Sequence, residues 1–355
     1  MKVLCVNAGS SSLKLALFDG ERRIASAQVH GNGRRELDDA IAQLGASSPD
    51  AVGHRLVHGG PVHHLPSRLD QRLLHELRGL VQFAPLHLPP ALDAVEAVGS
   101  RFPGVPQVAC FDTHFHWNLP ERSRRLPIPE ALHEEGVRRY GFHGLSYEFI
   151  VSELGPRLGR RAVVAHLGNG ASLAALDSGR CVDTTMAFTP ASGVVMGTRP
   201  GDLDPGVLVY WMAKGASAAE VQHLVDRECG LRGISGGTSD VKTLLEQRER
   251  DARSALAVEI FVHSCRKAVG ALAAVLGGLD TFVLSGGIGE NAPEVRADIC
   301  DGLTHLGVRL DPDANQAGRE RISAADSRCG VLVIRTDEDR MIARHARELL
   351  GEISR

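Results

Sequence analysis

Neither sign of charge dominates this chain: 40 Lys and Arg stand against 43 Asp and Glu. The basic run Arg122, Arg124, Arg125 is short enough to be a solvated face. That balance argues against nucleic acid or a membrane surface as a partner. No apolar stretch reaches the length a bilayer requires, the longest being near 268–276. The seven cysteines are scattered, odd in number and without a C-x-x-C pair, which argues against a disulfide framework and for a reducing compartment. A strand begins within two residues of Met1, with no positive segment and apolar core of a signal peptide, so a soluble cytoplasmic protein is expected. Low-complexity tracts and flexible linkers are also missing. His63-His64 and His114-x-His116 lack a third ligand at metal spacing, so no transition-metal site is expected.

What the chain does contain is one pattern twice. The strand Val3-Leu4-Cys5-Val6 runs into Asn7-Ala8-Gly9-Ser10-Ser11-Ser12-Leu13-Lys14, and Val163-Val164-Ala165 runs into His166-Leu167-Gly168-Asn169-Gly170-Ala171-Ser172-Leu173. Ser12-Leu13 matches Ser172-Leu173 at an offset of 160, and each copy reaches a second turn, Asp19-Gly20 or Ser178-Gly179, before a third strand. Hairpin tips without bulky side chains let backbone N–H groups approach phosphate, and the first adds hydroxyls and the Lys14 ammonium. At 355 residues, near the size where single cores split, two domains are expected. Strands are expected at 2–7, 13–18, 22–29, 52–57 and 107–111, with helices at 37–44, 69–83 and 90–98. The second half repeats this programme: three strands across 161–187, a long helix at 251–276, strands at 281–284 and 331–335, and a last helix at 338–350 that packs back on the first domain. The reading is α/β, with residues 1–115 plus 340–355 as one domain, 116–339 as the other, and a nucleotide held between them.

Several further residues suit phosphoryl transfer. Gly286-Gly287-Ile288-Gly289-Glu290-Asn291 follows a strand and precedes Pro293, a favourable first-turn proline; no ribose-binding acid follows at dinucleotide-fold spacing. Arg55 ends an apolar strand, where a guanidinium must be paired or face a cleft. Arg199 lies in a glycine-rich loop, where ion pairs to Asp202 or Asp204 are the competing account. Two guanidiniums suit a substrate carboxylate and a moving phosphoryl group. Asp112 closes the strand 107–111, where open α/β sheets place reactive groups, although an Asx turn is equally ordinary. His143 and His166 adjoin glycine loops, and the carboxylates of 337–339 are either helix-dipole complements or oxygen ligands for Mg²⁺.

Taken in order, the motifs resemble the acetate kinase family, which includes propionate and butyrate kinases, of the sugar-kinase/heat-shock-70/actin superfamily. They are NAGSSSLK at 7–14, HRLVHGG at 54–60, APLH at 84–87, FDTHFH at 111–116, YGFHG at 140–144, HLGNGAS at 166–172, DTTMAFTP at 183–190, MGTRPGDLDP at 196–205, GGIGENA at 286–292 and TDED at 336–339. The resemblance implies two actin-like, ribonuclease H-like ATPase domains with mixed sheets. It also implies reversible phosphoryl transfer from ATP to a short carboxylate, and a homodimer through the second domain. By the same resemblance Asn7 and Glu338 serve Mg²⁺ (or Mn²⁺), while Lys14, Ser10 and Ser12 serve the ATP phosphates. His166, Leu167, Gly168, Asn169, Gly170, Asp240, Val241, Lys242, Gly287, Ile288, Gly289, Glu290 and Asn291 contact nucleotide. Arg55 binds the carboxylate, Val57, Leu86, Phe142 and Pro190 line the acyl pocket, and His143 and Arg199 stabilise the transition state. Asp112 matches the position treated as the family's acid/base. Because a carboxylic acid is already ionised near pH 7, Asp112 is read here as orienting an arginine or metal-bound water.

The chain departs from the family pattern at several points. The adenosine segment S-x-D-F-R reads Thr238-Ser239-Asp240-Val241-Lys242, removing planar stacking surface and implying a relaxed base preference. F-D-T-A-F-H gains His114, and T-P-L-E-G reads Thr189-Pro190-Ala191-Ser192-Gly193.

Overall fold

The computed structural model describes residues 1–8, 12–31, 33–45 and 48–351, with only the backbone of Ser12. The chain divides into two compact units, one of 1–117, 142–149 and 337–355, the other of 118–141 and 150–336. Residues 142–149 thus belong to the first unit, although the expected boundaries put them in the second. Two hydrogen bonds hold them there: the Gly144 amide donates to the Asp112 carbonyl at 2.9 Å, and His116 Nε2 meets the Phe142 carbonyl at 3.0 Å.

The first unit is built on a six-stranded sheet of β1 (Lys2–Ala8), β2 (Ser12–Asp19), β3 (Arg22–His30), β4 (Ala51–Leu56), β5 (Ser67–Arg68) and β6 (Gln107–Phe111), in the order β3-β2-β1-β4-β6-β5. Val3 to Val6, Ala51 to Val52 and Val108 to Phe111 are all buried, the near-continuous apolar run that marks strands covered on both faces. The helix Glu338–Leu349 lies on the face that carries Cys5 and Cys110, whose thiols point to its Asp339 and Ile342 carbonyls. It buries Met341, Ile342, His345 and Ala346 in one stripe. Gly53 permits this close approach, because a Cβ there would stand 2.4 Å from Ile342 Cγ2.

The second unit carries β7 (Arg161–Leu167), β8 (Ala171–Asp177), β9 (Arg180–Thr184), β10 (Thr281–Ser285) and β11 (Gly330–Val333), ordered β11-β10-β7-β8-β9. Written from the other edge, this is the order of the first sheet without its short β5. In each unit two hairpins are antiparallel and the two inner neighbours parallel. The repeat seen in the sequence is therefore a repeat of sheet topology. The 25-residue helix Ala252–Leu276 begins with Asp251 accepting from Arg253 and Ser254 amides and ends at left-handed Gly277.

Some elements differ from expectation. The stretch 69–83 breaks into the helix Gln71–Gly79, capped by Asp70, and a 3₁₀ turn Val81–Phe83. The helix Gly144–Leu154 gave no sequence signal, since Leu145, Tyr147, Phe149 and Ile150 bury it on several sides and leave no amphipathic stripe. All seven cysteines are free, six of them buried. Among the described residues, no helix is long and apolar enough to cross a membrane.

One buried base makes a testable contribution to stability. His54 is sealed within β4, 2.6 Å from Gln107 Oε1, and burial lowers its pKa from 6.5 to about 4. The unfolded chain binds this proton first as pH falls. The contribution is therefore complete above about 6.5 and is lost as pH falls towards 4, up to about 3 kcal/mol. Urea unfolding across that window should show the decline, and His54→Gln should flatten it. Parallel curves for the two proteins would refute the assignment.

Candidate active site

In the first unit, Arg55 at the end of β4 meets three residues from three other elements. Its Nε donates to Asp112 Oδ1 at 3.0 Å, its Nη2 to Asp112 Oδ2, and its Nη1 to Asn7 Oδ1 at 3.2 Å. Glu338 Oε2 lies 3.7 Å from Arg55 Nε and 3.5 Å from Asn7 Nδ2. Among the described residues, three of the five guanidinium N–H groups are spent in these hydrogen bonds and two are not. Asp112 is fully buried. Burial raises its carboxyl to about 6 and Glu338 adds to the rise, while Arg55 opposes both. Asp112 and Glu338 in turn hold Arg55 above its ordinary value against the cost of burial.

The backbone sets this cluster. The Asp112 amide donates to the Leu56 carbonyl at 2.9 Å, tying the turn after β6 to β4. Gly144 ties the His143 loop to the Asp112 carbonyl, and a Cβ at 144 would stand 2.2 Å from that oxygen. His143 itself has φ of 58°, one of two non-glycine residues with positive φ among those described. His143 is thus held in left-handed backbone directly before the residue that bonds the Asp112 carbonyl. Asn7 and Lys14 are register partners in the β1–β2 hairpin and so share a face, with Lys14 exposed.

Of the three carboxylates at 337–339, two have structural work. Asp337 accepts from the Arg340 amide at the helix start, and Arg23 bridges Asp337 and Asp339. Burial lifts the Asp339 carboxyl to about 6. Glu338 alone faces Asn7 and Arg55. Glu338 and the Asn7 carboxamide are hard oxygen donors close together, a donor set that fits Mg²⁺ carried in with phosphate. Val57 and Phe142 are buried and Leu86 half-buried in this unit, whereas Pro190 belongs to the second. Ser10 lies outside the described residues, and so does the side chain of Ser12.

In the second unit, β7 and β10 are parallel neighbours whose carboxyl ends both run into glycine turns, the edge where such sheets bind ligands. Gly286, at φ of 76°, would clash with the Leu167 carbonyl 2.7 Å away if it carried a Cβ. A cavity of about 850 Å³ opens beside these turns, lined by Gly168, Asn169, Asp240, Val241, Lys242, Gly287, Ile288 and Asn291 among others. The sequence GGIGEN, expected as a turn, forms a short helix Gly286–Asn291. Gly289 and Glu290 do not line the cavity. Gly289 packs on Leu284, and Glu290 Oε1 accepts from the Gly286 and Thr336 amides. Leu167 is buried, and His166 and Gly170 are half-buried beside the turn. Asp240 also caps the helix Val241–Gln247 through Thr243. Ser239 and Glu294, not singled out in the sequence, join the lining, the first visible only as a neighbour of Asp240.

Arg199 donates to the Pro190 carbonyl at 3.1 Å, and it draws down an Asp226 carboxyl that burial raises. Asp202 and Asp204 have other tasks, accepting from the Gly193 and Gly206 amides. The Arg199 loop closes over Gly230, where a Cβ would meet the Met196 carbonyl at 2.2 Å.

Known proteins share this whole architecture. The acetate kinase of Nitrobacter hamburgensis is 43% identical over 389 aligned residues, covering 98% of this chain and 96% of that one. The acetate kinase of Rhizobium meliloti is 42% identical, with 98% of each covered. Crystal structures of Porphyromonas gingivalis acetate kinase (TM-score 0.87, 32% identity, 99% and 100% coverage) and of a propionate kinase from Francisella tularensis (0.90, 30%, 98% and 99%) superimpose along the chain. The sequence profile of the Acetokinase family matches residues 34–344. With its duplicated mixed sheets and its arginine–carboxylate cluster, the chain belongs to the Acetokinase family, whose members transfer phosphate to a carboxylate.

Proposed function

We propose that this protein is an acetate kinase, moving the terminal phosphoryl group of ATP onto acetate to give acetyl phosphate and ADP, and running in reverse. The observation that carries the reading is Arg55, clamped by Asp112 and Asn7 with two N–H donors to spare. A small carboxylate is the anion those two donors suit, and Val57, Leu86, Phe142 and Pro190 are the proposed acyl contacts. The carboxylate oxygen attacks the terminal phosphorus in line as the bond to ADP breaks, with no covalent protein intermediate. Arg55, His143 and Arg199 are the cations and donors proposed to offset the charge that spreads over the phosphoryl oxygens, a role carried by the family resemblance. Asp112 is a positioning residue that fixes the Arg55 plane.

Asn7 and Glu338 are the groups that hold Mg²⁺, which neutralises phosphate charge when bound. Lys14 and the turns after β7 and β10 hold the nucleotide phosphates, and Asp240, Val241 and Lys242 border its nucleoside. Seven free cysteines support a reducing, cytoplasmic setting. A second copy of the chain is proposed to cover the helix Pro205–Ala213, whose Val209, Tyr210 and Met212 are 65%, 61% and 51% exposed. Light scattering should give twice the chain mass, and Val209→Glu the single mass; a wild-type monomer would remove the dimer.

Trapping the acyl phosphate with hydroxylamine tests the reaction, using acetate, propionate and butyrate with ATP or GTP. Acetate should give the highest kcat/KM, ahead of propionate by about 10-fold or more, since one methylene is worth roughly 1–3 kcal/mol. Valine and lysine at 241 and 242 should narrow the preference for ATP over GTP. Higher kcat/KM with propionate would reassign the substrate. No acyl phosphate from any acid would overturn the reaction and favour a nucleotide-toggled binding protein.

A further inference from the structure

His114, Glu148 and His345 come from three separate elements of the first unit: the 3₁₀ turn after Asp112, the helix that begins at Gly144, and the helix that begins at Glu338. One ligand atom from each lies within 4.8 Å of the other two. His345 is buried and its Nε2 sits 2.9 Å from Glu148 Oε1. Among the described residues, Glu148 Oε2 and His114 Nδ1 are buried with no hydrogen-bond partner. The two imidazole rings stand perpendicular with centres 5.8 Å apart. Two imidazoles that share a zinc at about 2.0–2.1 Å per bond have ring centres roughly 5 Å apart, so a small inward movement closes the set. The Cys110 thiol lies beside the same His345 ring.

The neighbouring histidines are otherwise engaged. His116 meets the Phe142 carbonyl, His63 pairs with Glu76, and His64 stacks on Trp117 at 3.6 Å. Among the described histidines it is His114, which stands where the family pattern has alanine, that reaches the other two groups.

We propose that His114, Glu148 and His345 form a binding site for a divalent transition metal of the zinc type, separate from the oxygen-lined place for Mg²⁺. Two imidazoles and a carboxylate are the donors zinc takes, and half-buried His114 and Glu148 leave solvent a path to a fourth position. The bound ion would take one donor atom from each of the three residues. It would also pin together the elements that carry Asp112, His143 and Glu338.

The test is a Co²⁺ titration of the full chain, stripped of metal and free of nucleotide, followed by visible absorption. One Co²⁺ per chain should bind with a visible band, one equivalent of Zn²⁺ should displace it, and excess Mg²⁺ should not. His114→Ala, checked for folding by circular dichroism, should weaken binding at least about 10-fold, and Glu148→Gln should do the same. No stoichiometric band, displacement by Mg²⁺, or unchanged binding in His114→Ala would each overturn the site. None of these readouts depends on kinase activity.

Discussion

Arg55→Ala should reduce kcat/KM for acetate by about 10³-fold or more and destabilise the protein by about 3–5 kcal/mol. The two losses have different causes. Under the proposed mechanism, activity falls because the carboxylate loses its anchor and the phosphoryl oxygens lose a cation. Stability falls because Asp112, fully buried and raised to about 6 even beside Arg55, would lose the partner of both its oxygens and take up a proton in a site built to hold its charge. Arg55→Lys should recover part of the stability and little of the activity, since one ammonium cannot span the two Asp112 oxygens that Nε and Nη2 now engage. The double variant Arg55→Met, Asp112→Leu removes both buried charges and should be more stable than Arg55→Ala while staying inactive. Steady-state kinetics beside urea unfolding separates the outcomes. Arg55→Ala with wild-type stability, or within threefold of wild-type kcat/KM, would dismantle this account.

At His143 the two measurements should move apart. Glycine takes a φ of 58° without strain, whereas any other side chain there resists it. His143→Gly and His143→Ala should both lose about 10²-fold or more in kcat with acetate, because both lack the imidazole. Yet the glycine variant should be more stable than the alanine variant by about 1 kcal/mol, because alanine keeps the strain and drops the ring. Equal stability for the two, or wild-type kcat in either, would show that the backbone is not held for the sake of the side chain.

The sheets were legible because their signals are local. Val3 to Val6 and Val163 to Ala165 are short apolar runs that end in glycine turns, and repeating that unit predicted the repeated topology. Arg55, Asn7 and Glu338 could each be singled out, the first as an expensive cation at the end of an apolar strand. What local reading could not supply was pairing across distance. Glu148 carries no signal in its own neighbourhood, and His345 reads as an ordinary residue in the stripe of the last helix. They matter only because the fold sets them beside His114. The Gly144–Leu154 helix escaped for a related reason, since burial on several sides erases the periodicity by which helices are recognised. Glu290 shows the same limit from the other side: nothing in its motif announces that its carboxylate accepts from the Gly286 and Thr336 amides.

The close seat of Ile342 over Gly53 has a consequence for biosynthesis. Cys5 and the Asp339 carbonyl it meets are 334 residues apart in the chain. On the ribosome, β1, β4 and β6 emerge long before the helix that covers them, and the whole second unit is translated in between. That nascent sheet must wait with one face uncovered, and Arg55 gains its Glu338 neighbour only after the second unit has been made. The second unit, whose strands and long helix arrive in one uninterrupted stretch from 150 to 336, can mature first.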